Sequence, residues 1–270
     1  MTDLAVDVEP GVVSSFDGAV LVLTLNRPEK GNALRLGDCM ALLEQIEAVD
    51  GGDDVRAILI RAEGRHFCLG ADLVSANAGN VKPRPGHLTR SLDAGPHQLI
   101  AALWHSPVPT VSLVHGRAMG LGLHLAVACD FTIAADDAVF SEPFCKRGFS
   151  VDSGGSFLLP RLVGLRRARQ MLLRGVPVPA PTAEEWGLID SVVAADSLDA
   201  EGAALATELA LGPTYSLGHT KGLLNNPVPS GLNGVLTQEA ASVEATVRSS
   251  DFKEGLRAFA ERRDPKFSGD

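Results

Sequence analysis

Apolar residues recur along this chain in two rhythms. Val20–Leu25 is a short apolar run ending at Asn26-Arg27-Pro28, which predicts a strand and a turn. Leu36, Met40, Leu43 and Ile46 then follow at helical spacing. Val55–Ile60 predicts a second strand. The stretch from Asp72 to Pro96 is polar and rich in Gly and Pro, the composition of a long loop. Helical spacing resumes at Leu92, Leu99 and Leu103 and stops at Pro107. Val108–Val114 predicts a strand, and Pro109 within it calls for an edge or a strand-start position. A glycine-punctuated segment leads into an apolar helix over Gly122–Cys129, followed by a strand over Phe131–Ala134.

Strands that alternate with helices argue for an α/β fold. From about Asp196 the strand pattern gives way to helices over Ser197–Leu209, Leu217–Leu224, Leu236–Arg248 and Asp251–Arg262. The last opens with Asp251-x-x-Glu254, a capping-box-like start, and sets Phe252, Leu256 and Phe259 on one face. The expected organisation is a core over residues 1–195 and a helical region over 196–270.

Composition narrows the function. Hydrophobic residues make up 45% of the 270 and aromatics only 5%, so the expected core is aliphatic. The formal charge of −9 argues against nucleic acid or an anionic membrane surface as partner. A phosphorylated ligand would need a local basic patch. Cys39, Cys68, Cys129 and Cys145 form no CxxC pair and no zinc spacing, so buried, reduced thiols are expected. The first residues lack a basic and an apolar leader region, and no apolar run reaches the roughly 18–20 residues of a membrane span. A cytoplasmic protein is the expectation.

Four segments carry candidate chemistry: Leu25 to Leu34, Phe67 to Leu73, His115 to Leu125, and Phe140 to Phe144 with Gly148 and Asp152 to Gly155. Glycines near a helix start commonly mark turns or close packing. They also let a backbone N–H approach a ligand oxygen, and a helix N-terminus adds positive dipole there. Two N–H groups aimed at one oxygen form an oxyanion hole.

In this order and spacing the four segments resemble the crotonase superfamily, the enoyl-CoA hydratase/isomerase family. The closing stretch Glu254-Gly255-Leu256-Arg257-Ala258-Phe259 through Phe267 resembles that family's last helix, so the likeness runs from about Val20 to Phe267. The resemblance implies a crotonase-like spiral of ββα units, a C-terminal helical trimerisation region, and homotrimers or dimers of trimers. It also implies acyl-CoA thioester substrates, with coenzyme A as part of the substrate and no metal or redox cofactor. The family's oxyanion donors carry over to the N–H groups of Leu69 and Leu121. Leu121 stands where a glycine is usual, and its N–H survives that change unless the site needs positive φ. Gly70, Ala71, Asp72 and Leu73 resemble the stretch along the CoA moiety, with Ala33 and Phe259 as further substrate contacts. Arg27 and Lys30 are candidates near the CoA phosphates, or else ordinary surface charges.

Two departures bear on the reaction. Hydratases of the family carry one glutamate where this chain has His124 and another where it has Phe144. Phenylalanine neither activates water nor protonates carbon. It would instead line an apolar acyl pocket. Glu142 lies two residues earlier, and such a shift along an extended segment does not put a side chain in the same place, so a structural or exposed role is expected. His124 is either an acid/base group or a buried, hydrogen-bonded histidine. Asp152 is either a second catalytic group or the N-cap of a helix entering Phe157-Leu158-Leu159. The expected function is an acyl-CoA enzyme of the hydratase/isomerase type in fatty acid or related acyl-CoA metabolism, with classical hydration doubtful. The alternative is a non-catalytic acyl-CoA binding protein. An unrelated hydrolase is disfavoured, because no serine sits in a G-x-S-x-G elbow.

Overall fold

A computed structural model of the chain describes residues 11–49, 54–73, 84, 86–226 and 231–270. Six strands form the main sheet: β1 (Val12–Asp17), β2 (Val20–Leu25), β3 (Ala57–Ala62), β4 (Thr110–Val114), β6 (Phe131–Ala135) and β9 (Ser191–Val193). They lie in the spatial order β1-β2-β3-β4-β6-β9, with β1 antiparallel to β2 and every later pair parallel. A smaller sheet stacks β5 (Arg117–Met119), β7 (Val139–Ser141) and β8 (Val178–Pro179). Pro109 precedes β4, which is a central strand, so the strand-start reading holds and the edge reading does not.

The unbroken apolar runs follow from burial on both sheet faces. Along β2, Leu21, Leu23 and Leu25 face the larger core, and Val20 and Val22 face the second. The larger core packs under α1 (Leu36–Glu47), α3 (Pro96–His105) and α4 (Leu121–Val127), which contribute Leu42, Ile46, Leu99, Leu103 and Leu123. The second core is covered by α8 (Leu198–Ala210) through Leu198, Ala206 and Ala210.

The stretch expected to be a loop from Asp72 to Pro96 contains α2 (His87–Ala94), and residues 74–83 and 85 lie outside the described residues. Its polar composition hid the helix: none of its residues is buried. The remaining helices are α5 (Phe144–Arg147), α6 (Gly155–Arg174, interrupted at Gly164), α7 (Ala180–Trp186), α9 (Thr214–Asn225), α10 (Gly231–Thr246) and α11 (Ser250–Glu261).

The expected cap at Asp251 is corrected. Ser249 caps α11, its hydroxyl accepting from Phe252 N at 3.0 Å. Asp251 is buried and accepts instead from Ser268 N at 2.6 Å and Gly269 N at 2.9 Å, folding the last residues back onto the helix. Asp251→Ala would strand the buried Gly269 N–H, a loss of about 1–3 kcal/mol for a buried unsatisfied group, and would release Ser268, which is exposed. Urea denaturation is expected to register that loss, and an unchanged midpoint would contradict this role.

Candidate active site

Strand β5 ends at Met119, and Gly120 then turns the chain into α4. That turn needs φ of 51° and ψ of −120°, a conformation suited to glycine. Leu121 is the first residue of α4, so its N–H has no partner within the helix. Its φ is not positive, so the side chain costs nothing in backbone strain. The side chain is buried and narrows the space beside it.

The second turn follows Phe67. Cys68 bridges to Ala118, and Leu34 bridges to Ala71. Gly70 sits between them at φ 94°, where a Cβ would lie 2.8 Å from Met119 O and 3.8 Å from Leu121 N. The two turns are therefore in contact. Burial pushes the Cys68 thiol up to about 12, so it stays neutral beside this turn.

The donor expected at Leu69 is corrected. Its N–H donates to Gly31 O at 3.0 Å and is already committed. Ala71 N–H, two residues on, makes no hydrogen bond to any described residue, and Ala71 is exposed. Ala71 and Leu121 are the two turn residues whose N–H groups have no hydrogen-bond partner among the described residues.

Leu69, Gly70, Ala71, Leu73, Leu121, Phe144 and Asp152 all line one narrow cavity of about 30 Å³. Met119, Arg147 and Phe149 also border it and are not among the residues the sequence points to. Phe144 and Phe149 meet edge to face at 5.2 Å, forming an aromatic wall. Asp152 does not cap the following helix. The N-cap of α6 is Gly154, with no side-chain cap, and the Asp152 carboxylate makes no hydrogen bond to a described residue. It is the one carboxylate among the described residues lining the cavity.

His124 does not line the cavity. It is fully buried, and its Nε2 lies 2.8 Å from Glu142 Oε1, which is also fully buried. Its ring runs parallel to that of Phe144, 9° between planes and 5.9 Å between centroids. Glu142 is expected from the sequence to be structural or exposed, and it is not exposed. A charged residue closing a buried strand, with a histidine in an apolar helix, was the available signal for the pair.

The other expected contacts separate. Arg27 is tied inward, donating to Ala33 O at 2.8 Å and pairing with Asp72 at 3.2 Å and Asp38 at 3.5 Å. It is thus a bracket under the Gly70–Leu73 turn rather than a free phosphate ligand. Burial opposes ionisation of Asp38, but hydrogen bonds from Arg35 and the nearby Arg27 charge outweigh it and hold its carboxyl below the usual range. Lys30 is exposed on the turn Pro28–Lys30. Phe259 is 85% exposed on α11 and does not line the cavity. No group of three or more His, Cys, Asp or Glu that could hold a metal occurs among the described residues, and no helix among them is long and apolar enough to cross a membrane.

Known proteins similar to this chain carry several activities within one family. Residues 15–270 match the family model of enoyl-CoA hydratase/isomerase. The chain is 36% identical to the 1,2-epoxyphenylacetyl-CoA isomerase of Escherichia coli K12, covering 96% of this chain and 98% of that protein. It is 32% identical to the trans-2-decenoyl-[acyl-carrier-protein] isomerase of Streptococcus mutans, with the same coverage. The crystal structure of an enoyl-CoA hydratase from Polaromonas sp. JS666 superposes with a TM-score of 0.89 at 31% identity, covering 95% of this chain and 99% of that one. With a family model over nearly its whole length and relatives alike from end to end, the chain belongs to the enoyl-CoA hydratase/isomerase family of the crotonase superfamily.

Proposed function

We propose that the protein is an isomerase that moves a carbon–carbon double bond in an acyl-CoA thioester. The observation that carries this reading is that Asp152, the one carboxylate among the described lining residues, borders a cavity also lined by Ala71 and Leu121, whose N–H groups have no partner among the described residues. The thioester oxygen accepts from both N–H groups, and Asp152 faces the acyl carbons. The carboxylate removes a proton from the carbon between the double bond and the carbonyl. The electron pair moves into an extended enolate, whose charge rests on the thioester oxygen between the two donors. The same proton returns at the far end of the conjugated system, and the double bond has shifted. Atoms and electrons balance, so this step calls for no redox group. One carboxylate suffices because it first accepts and then donates.

Hydration asks for more. A group must activate water on one side while another protonates carbon on the other. Phe144 supplies neither, and buried His124 does not reach the cavity. Crotonyl-CoA is therefore expected to be hydrated very slowly or not at all, while a 3-enoyl-CoA is converted to its 2-enoyl isomer. Chromatography of both reactions tests this, and rapid hydration with no isomerisation would reverse the reading. The names of the Escherichia coli and Streptococcus mutans relatives favour isomerisation over hydration, and the decenoyl group in the second carries a carbon–carbon double bond. A purely binding role is less favoured, since it gives Asp152 no task.

The reading extends to assembly. Leu224 on α9, Leu232 and Val243 on α10, and Leu256 and Phe259 on α11 are all more than half exposed on the single chain. Covering such faces favours self-association. Light scattering at micromolar concentration is expected to give three or six times the chain mass of 28.3 kDa. A monomer would contradict the trimerisation role of this region.

A further inference from the structure

We propose that the buried His124–Glu142 pair is a positioning device for the reaction. It fixes the N-terminus of α4, which presents the Leu121 N–H, against the segment that carries Phe144 and Asp152. This inference rests on the proposed function and adds to it two residues that never touch the substrate.

The pair stands where three segments converge. His124 lies three residues into α4 beyond Leu121, and its own N–H bonds to Gly120 O at 2.9 Å. Glu142 follows β7, whose last residue, Ser141, accepts from Gly120 N at 3.0 Å. Phe144 comes two residues later, and its ring lies parallel to the imidazole. Gly155, the first residue of α6, has no room for a Cβ, which would collide with His124 Nε2. The imidazole is therefore in register with the oxyanion turn, the aromatic wall and the turn that carries Asp152.

The chemistry of the pair argues against a role in stability alone. One hydrogen bond of 2.8 Å joins two fully buried side chains, and His124 Nδ1 and Glu142 Oε2 have no partner among the described residues. A half-satisfied buried polar pair is a poor stabiliser, and apolar residues of similar size commonly serve as well or better. What such residues do not supply is direction. A hydrogen bond fixes the relative orientation of the two segments, and a displacement of about 1 Å at a reacting centre can cost about 100-fold in rate.

The test uses the double variant His124→Leu with Glu142→Met, which removes both polar groups together and leaves no buried charge unpaired. Four quantities are read: the melting temperature, the isomerisation of a 3-enoyl-CoA, and the affinity and ¹³C carbonyl shift of a bound saturated acyl-CoA that cannot isomerise. The double variant is expected to fold with an unchanged or higher melting temperature. It should bind the saturated thioester within about threefold of the unmodified affinity. Its kcat should fall about 100-fold, and the carbonyl shift should collapse toward the free value. His124→Gln, which keeps a donor for Glu142, is expected to restore kcat to within about tenfold of the unmodified protein.

A double variant with unmodified kcat and carbonyl shift overturns the positioning role and leaves the isomerase reading intact. If the unmodified protein shifts the carbonyl but does not isomerise, and the double variant loses the shift, the isomerase reading fails and the positioning role stands. If the unmodified protein binds the thioester without shifting its carbonyl, the pair has nothing to position and the inference falls.

Discussion

Asp152→Asn is expected to lower the isomerisation rate by about 10²–10⁴-fold, the usual contribution of one positioned acid/base group. That range corresponds to about 3–5 kcal/mol of transition-state stabilisation. Asparagine matches aspartate in shape but neither accepts nor returns the proton. The substitution is informative because the competing role for Asp152 is absent: Gly154, without a side-chain cap, is the N-cap of α6. Melting temperature and acyl-CoA affinity should therefore stay close to those of the unmodified protein. Steady-state kinetics separates the effects, since losing a proton-transfer group lowers kcat and leaves KM nearly unchanged. An Asp152→Asn variant as fast as the unmodified protein would remove Asp152 from the mechanism.

Gly70→Val should damage binding and catalysis together. Gly70 holds φ at 94°, a region β-branched residues avoid, at a cost of about 1–3 kcal/mol. A Cβ there would press on Met119 O at 2.8 Å and come near Leu121 N at 3.8 Å. The turn would shift, taking the Ala71 N–H with it and crowding the Leu121 N–H. Loss of one oxyanion donor typically costs about 10²–10³ in kcat, so a loss of at least 100-fold is expected. Calorimetry should show weakened acyl-CoA binding, with circular dichroism confirming that the variant is folded. A folded variant with unchanged affinity and rate would mean that the thioester oxygen lies elsewhere.

Much of the sheet is legible in the sequence because burial on both faces writes a plain signal. The apolar run Val20–Leu25 has the bounds of β2, and the strand expected over Val55–Ile60 moves only to Ala57–Ala62. β1 escapes notice because all but its first residue is exposed, and β5, β7, β8 and β9 are only two or three residues long. The motifs lead to residues that border one cavity, but they do not tell which N–H is left unbonded. Leu69 and Ala71 flank the same glycine, and what distinguishes them is a bond from Leu69 N to Gly31 O, formed only on folding. Arg27 misleads for a similar reason: its charge suggests phosphate, and its partners Asp38 and Asp72 lie 11 and 45 residues away. Glu142 shows the limit of reasoning by offset. Two residues from the family position, it does not reach the cavity and instead faces His124 across the interior.

In the proposed reaction Asp152 moves a proton on a thioester held by Ala71 and Leu121. Its most direct test is the incubation of the unmodified protein with a 3-enoyl-CoA in heavy water, with NMR and mass analysis of the recovered thioester. The expected product is the 2-enoyl isomer, with any deuterium confined to the α- and γ-carbons between which the proton travels. Recovery of bound but unchanged 3-enoyl-CoA without deuterium, or of a 3-hydroxyacyl product in its place, would contradict it.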